Sequence, residues 1–336
     1  MARLHQIDCS THFWTQWDGY ADRTMARQWV EFIAETQEAT PVAAEVREGA
    51  SLLGYFCGLV FSRFGVRILG SPFAGWTTSY MGFALQPGVH RWMALQALER
   101  FAFKDLGCFH FEVVDRHLTV EDGQRAGLLP YRSARSYESD LRESEEALFS
   151  HMKSACRRCI RKAEREGVVI EEAKDDGFAG EYWAQLTEVF LKQGLAPTYG
   201  LNRVQKLIEH VGPTGRLLLL RARDPEGRCI ATGIYPALNT IAHFWGNASV
   251  NEGQHLRPNE TLHWYAMRYW KGRGVPVFDW GGTGEYKEKY GCAPISVPRF
   301  VKSRVPGLLY LRDQAKRIVR GRQRLAGWLR SRPRPR

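Results

Sequence analysis

Between Asp279 and Gly291 the sequence runs DWGGTGEYKEKYG, which sets an aspartate, four glycines, two tyrosines and two lysines within thirteen residues. Asp279 falls at the end of the short apolar run 275–280. An interior carboxylate is costly unless it is paired, so Asp279 can act as a base or hydrogen-bond an acceptor group; it can equally cap the glycine turn behind it. Glu285 is a second candidate base. Upstream, His243 and Trp245 lie on one alternation face of a strand read from 240 to 248, a placement that suits a satisfied core histidine as well as a ligand contact. A third stretch, SEEALFSHMKSACRRCIRKAEREG (144–167), carries six cations between Lys153 and Arg165. On a helix, Leu148, Met152, Cys156, Cys159, Ile160 and Ala163 share one face and the cations cover the other. Such a face is either solvated or turned toward the phosphates of a nucleotide, CoA or RNA ligand, with Arg157, Arg158, Arg161 and Lys162 as contacts.

The elements that must position these residues are legible in part. Leu262, Tyr265, Ala266, Tyr269 and Trp270 recur at helical spacing, Pro258 suits a first helical turn, and Gly272 and Gly274 stop the pattern. Ser144 is a good N-cap for one helix ending at Gly167. Strands are expected at 42–46, 51–61, 67–69 and 108–114, and again at 216–221, 229–237, 240–248 and 275–280, with a helix before the last strand of each set. Strand–strand–strand–helix–strand therefore occurs twice, offset by about 170 residues. The economical reading is two similar α/β domains, 1–140 and 141–306, the second opening on the basic helix 144–167, followed by a tail, 307–336.

Composition bounds the partners. The formal charge is +11, and +9 of it lies in 312–336, where ten basic residues face Asp313 alone. The stripe Leu311, Ala315, Ile318, Leu325 and Leu329 among those arginines has the composition of an interfacial helix on anionic lipid; it equally suits RNA phosphates. No run reaches the ~18–20 apolar residues of a membrane span. The N-terminus lacks an apolar signal core, so the expected location is cytoplasmic, with peripheral membrane contact through 308–336. Seven scattered cysteines read as reduced thiols. The CxxC at Cys156 and Cys159 reads as small apolar positions on a helix, and the ten histidines show no ligand spacing, so no metal and no tightly bound cofactor are expected.

Taken together and in order, RRCIRKAEREGV, the strands from 217 to 237, HFWGNAS, RPNETLHWYAMRYWKGRGVPVFDWGG and EYKEKYG resemble the FemABX peptidoglycan-bridge aminoacyltransferases. They also resemble the FemAB-like acetyltransferase-domain proteins found with exopolysaccharide genes. Both belong to the GNAT acyltransferase superfamily, and the resemblance covers roughly residues 30 to 305. It implies two tandem GNAT-like domains and transfer of an acyl group to an amine on an amino-bearing sugar or other cell-envelope precursor. The donor would be acyl-CoA or aminoacyl-tRNA. Lys287 matches the family's Phe-Lys-x-x-Phe-Gly lysine, which implies a cationic stabiliser at the donor or the reacting carbonyl, with Tyr286 and Tyr290 in place of the two phenylalanines. Tyr199 and Asn259 match positions that line the acceptor groove. The pyrophosphate loop of ordinary GNAT proteins corresponds to VNEGQHLRP (250–258), which has a single glycine and departs from that pattern. A non-catalytic protein holding RNA or anionic membrane is the alternative of another class.

Overall fold

The structure is a computed structural model and describes residues 1–63, 65–305, 307 and 314. The basic tail lies outside the described residues apart from Gly307 and Gln314. No helix among the described residues is long and apolar enough to cross a membrane.

The elements follow in chain order as β1 (Arg3–Ile7), α1 (Thr11–Asp18), α2 (Arg27–Thr36), β2 (Thr40–Glu48), β3 (Ser51–Arg63), β4 (Val66–Ser71), β5 (Gly82–Leu85), α3 (Arg91–Arg100), β6 (His110–Val113), α4 (Val120–Arg125), β7 (Pro130–Asp140), α5 (Glu145–His151), α6 (Ser154–Arg165), β8 (Val169–Glu172), α7 (Phe178–Lys192), α8 (Leu201–Val211), β9 (Leu217–Arg223), β10 (Cys229–Leu238), β11 (Ile241–His243), β12 (Gly246–Ser249), α9 (Pro258–Gly272), β13 (Val277–Asp279) and β14 (Ala293–Ser303). Contacts divide the described residues into two units. Unit 1 holds residues 1–136, 281–283 and 294–305; unit 2 holds residues 137–280 and 284–293.

In unit 1 the strands run β1-β2-β3-β4-β6-β14, with β5 also on β3. All neighbours are antiparallel except β4 and β6, which pair in parallel with Leu69 opposite Phe111. Alternate residues along these strands, among them Val42, Ala44, Phe56, Leu69, Phe111 and Phe300, pack with Leu95, Leu98 and Phe101 into one core. Gly54 adopts φ +150, and a Cβ there would lie 2.2 Å from the Ala84 carbonyl oxygen, so glycine permits the close approach of β5.

In unit 2 the end of β7 pairs with β13, and the order continues β11-β10-β9-β8, with β12 also on β10. Again one neighbouring pair is parallel: β11 and β13 run together from Ile241 opposite Val277 to His243 opposite Asp279. The two units thus repeat the same unusual pairing, β4 with β6 and β11 with β13, each flanked by a strand (β5 or β12) that pairs back onto the antiparallel neighbour. The core of unit 2 is built from Leu218, Leu220, Tyr235, Leu262, Ala266, Met267, Trp270, Phe278 and Trp280.

Two expected elements are each broken in two. The single helix over 144–167 is α5 and α6, separated by extended backbone at Met152 and Lys153 (ψ 142 and 143). Met152 is buried, the Lys153 N–H donates to the Lys289 carbonyl at 2.9 Å, and the Arg157 guanidinium caps the Met152 carbonyl at 2.9 Å. Tertiary bonds at the break thus outcompete a continuous helix. Ser144 does cap α5, accepting from the Ala147 N–H at 3.1 Å. The strand over 240–248 is likewise β11 and β12. Ala242 faces Ala237 of β10, whereas Gly246 faces Ile234, so four steps on one strand match three on the other. One extra residue is accommodated at Phe244–Trp245, a β-bulge.

Candidate active site

The site is built where the parallel pair of unit 2 ends. The ladder between β11 and β13 closes with the Phe244 N–H donating to the Asp279 carbonyl at 2.8 Å; beyond it the chain pairs with β10 alone. The two strands separate there, at the carboxyl end of both, which is where open α/β sheets place their ligands. Trp280 follows Asp279, is fully buried, and stacks on Tyr290 with ring centroids 4.3 Å apart. Gly281 and Gly282 then take φ +58 and +61, a sharp turn that a β-carbon would strain. A 3-10 turn, Glu285–Tyr290, brings the chain back.

That turn carries Lys287 into the protein. Its side chain is 6% exposed, and Nζ donates to the Trp280 carbonyl at 2.7 Å, with the Phe244 ring 5.6 Å and the Tyr286 ring 5.7 Å away. Burial pulls its pKa down to about 8, opposed by the negative charge of Asp279. The Cys292 thiol closes the turn by donating to the Lys287 carbonyl at 3.0 Å. Asp279 has no exposed surface, and its Oδ2 lies 3.4 Å from Nδ1 of His243, whose side chain is 12% exposed. Lys287, Asp279 and His243 are therefore brought together by one strand register and one turn.

The other sequence candidates distribute around this centre. Trp245 leans on Tyr199 at 5.0 Å between rings, and the Tyr199 and Tyr182 hydroxyls hydrogen-bond at 2.7 Å. Gly246 makes room for that pair, since a Cβ there would meet the Tyr182 hydroxyl at 2.5 Å. Asn259, in the first turn of α9, accepts from the Asn247 amide at 2.9 Å and donates to the Ser249 hydroxyl at 3.2 Å, tying α9 to β12. Tyr286 and Glu285 are exposed on the outer side of the turn. On α6, Arg158 and Arg161 are exposed, Arg157 and Lys162 half-buried; Arg157 is occupied at the α5–α6 break and Arg161 lies 5.4 Å over the Phe149 ring. Four cations of one helix thus take different roles.

Sequence reasoning passed over three residues. Glu138 of β7 stands opposite Asp279 in the antiparallel ladder. Its strand, YRSARSYESD, is rich in serine and arginine, and only the weak alternation of Tyr131 and Tyr137 marks it. Phe244, next to His243 in β11's continuation, lies 5.6 Å from the Lys287 ammonium, and nothing local in the sequence singles it out. His263 is fully enclosed, its Nδ1 2.9 Å from the Tyr235 hydroxyl, and burial with the nearby Lys289 and Lys287 charges lowers its pKa to about 3. It belongs to the apolar stripe of α9 in place of the half-buried Tyr265.

Residues 150–290 match the family model described as an acetyltransferase (GNAT) domain. The chain carries a GNAT acetyltransferase domain, and it is a transferase. Its fold is similar over nearly the whole length to the crystal structure of FemX (TM-score 0.73, 11% identity, covering 91% of this chain and 99% of that one). It is also similar to the C-terminal domain of a putative lysylphosphatidylglycerol synthetase from Agrobacterium fabrum (TM-score 0.56, 10% identity, 90% and 96% covered). A tandem GNAT protein from the clavulanic acid biosynthesis pathway gives TM-score 0.55 at 10% identity, with 91% and 99% covered. At such identities the likeness establishes the fold, two tandem GNAT-like units, and leaves the substrate to the site. No curated protein sequence matches the chain.

Proposed function

We propose that this transferase is an N-acyltransferase that moves an acyl group from acyl-CoA to an amine on a cell-envelope or polysaccharide precursor. The observation that carries the reading is the buried Lys287 ammonium, held by the Trp280 carbonyl where β11 and β13 part and under the charge of Asp279, which itself stands beside His243. Acyl transfer asks for removal of a proton from the amine, stabilisation of negative charge on the carbonyl oxygen, and a proton for the leaving group. Lys287 supplies a cation in a low-dielectric setting for the second of these. His243, with Asp279 beside it, supplies the acid–base group for the first and third.

A donor of the CoA type finds partial support at α9. That helix begins at Arg257, exposed and in the left-handed conformation (φ 60), and has no side-chain cap, so a positive helix end and a guanidinium are available to a pyrophosphate. Gly253 of the preceding loop is used for packing, because a Cβ there would lie 2.5 Å from Ile230. The exposed Arg158 and Arg161 favour a second reading, with aminoacyl-tRNA as donor. Titration calorimetry with acetyl-CoA and with a charged tRNA, at one salt concentration, tests both. Saturable acetyl-CoA binding is expected. Binding of tRNA alone, with preference for the charged form, moves the donor to aminoacyl-tRNA; tRNA binding indifferent to charging leaves only the basic surface; no binding of either overturns the catalytic reading.

A further inference from the structure

The strand register of unit 2 sets three titratable side chains in one row. Asp279 lies opposite Glu138 in the antiparallel pair of β7 and β13, and opposite His243 in the parallel pair of β11 and β13. Directly opposed residues of neighbouring strands project from the same face. The next positions go to the other face, where Trp280 Nε1 donates to the Ser139 hydroxyl at 3.0 Å. Glu138, Asp279 and His243 are therefore consecutive members of a single polar row that crosses three strands beneath the point where β11 and β13 part.

Exposure grades along that row. The Asp279 side chain has no accessible surface, whereas His243 keeps 12% of its own. A carboxylate with no surface makes no contact with an incoming amine; the imidazole beside it keeps surface for one. Two carboxylates directly opposite one another repel when both are ionised. The Lys287 ammonium, whose charge Asp279 favours, offsets that repulsion at Asp279, and the Asp279 carboxylate stands beside the imidazole. With Nδ1 turned to Asp279 at 3.4 Å, Nε2 is the nitrogen directed away from the carboxylate.

Resting on the acyltransferase reading, we infer that His243 is the catalytic base and that Asp279 positions it through Nδ1. The acceptor ammonium gives one proton to His243 Nε2. Its freed lone pair forms the C–N bond to the acyl carbon, the C–S bond of the thioester breaks, and the second nitrogen proton leaves with the sulfur as the free thiol. The imidazolium releases its proton to solvent to complete the cycle.

The test begins with the wild-type protein labelled with ¹⁵N-histidine, the His243 signals assigned by His243→Gln. In the neutral imidazole the proton is expected on Nδ1, with Nε2 bare; Asp279→Asn, whose amide can donate to Nδ1, is expected to move it to Nε2. A wild-type imidazole protonated on Nε2, or an unchanged tautomer in Asp279→Asn, overturns the proposal. This readout needs neither donor nor acceptor, so it stands apart from failure of the acyltransferase reading, which acetyl-CoA binding reports. In the kinetic arm, with acetyl-CoA as donor, His243→Gln is expected to lower kcat for glucosamine by at least about 100-fold. The same variant should retain most of its rate with hydroxylamine, which is uncharged at neutral pH. Equal losses with both nucleophiles make His243 a structural residue and overturn the assignment.

Discussion

Lys287 offers a measurement in which sign, size and cause are all set by the structure. Its amine is enclosed by Phe244, Tyr286 and the Trp280 carbonyl, and burial brings its pKa from 10.5 to about 8 against the opposing effect of Asp279. With a midpoint of about 8, roughly nine-tenths of the side chain is charged at pH 7 and roughly one-tenth at pH 9. If the ammonium stabilises the carbonyl oxygen, transfer at saturating donor falls about tenfold over that interval. The titration can be followed directly by the ¹³Cε shift of labelled lysine, assigned with Lys287→Arg. A midpoint near 8 is expected, moving lower in Asp279→Asn, where the opposing charge is gone. The Arg variant should lose the alkaline fall in rate, since guanidinium stays charged. The linkage is definite in direction. The folded value lies below the unfolded one, so between about 8 and 10.5 the unfolded chain binds more protons and this group's contribution to stability rises with pH. A midpoint above 10 would refute the argument, because it would mean that the amine is solvated and not enclosed.

Three further expectations rest on other residues. His263 is neutral and enclosed, with a pKa lowered to about 3, so stability should fall by about 2–3 kcal/mol between pH 6.5 and 4.5, where the unfolded chain takes up the proton first; urea midpoints should show this slope in the wild type and a flatter one in His263→Phe. Gly291 has φ +73, and a Cβ there would lie 2.6 Å from the His151 backbone, so Gly291→Ala should cost about 2–3 kcal/mol in chemical denaturation and displace the turn that carries Lys287. Arg221, nearly enclosed, joins Glu171, Asp175 and Glu181, with Nη2 2.8 Å from Asp175 Oδ1. Arg221→Met should lower the thermal midpoint by removing the cation that all three carboxylates share, Glu171 keeping Arg223, at a cost of about 2–3 kcal/mol because the carboxylates can rehydrate.

Much of the frame could be read from residue order. The stripe of α9, the flanking strands β9 and β10, and the twofold recurrence of strands around a helix all rest on local periodicity. What escaped was set by long-range pairing. β14 returns to unit 1 from the far end of the chain, placing Phe300 opposite Val113, a separation that no local pattern encodes. The break between α5 and α6 depends on the Lys289 carbonyl, more than a hundred residues away. The site divides along the same line. Lys287 and Asp279 announced themselves because glycines and charge beside a buried run are locally odd, while Glu138 is an ordinary glutamate until the register sets it across from Asp279.

The bulge at Phe244–Trp245 changes the phase of its strand. Before it, His243 shares a face with Ile241; after it, that face passes to Gly246 and Ala248, and Asn247 and Ser249 turn to α9, where Asn259 meets both. One odd-numbered series thus serves two sides of the sheet, the His243–Asp279 contact on one and anchorage of α9 on the other. Point substitutions leave that phase intact, since they do not alter the residue count. Removal of one residue at the bulge would restore uninterrupted alternation with Gly246 still opposite Ile234, and every downstream side chain would keep its present face. What the extra residue supplies is room for both Phe244, 5.6 Å from the Lys287 ammonium, and Trp245, 5.0 Å from Tyr199, so a lineage that keeps both contacts should keep two residues between His243 and Gly246.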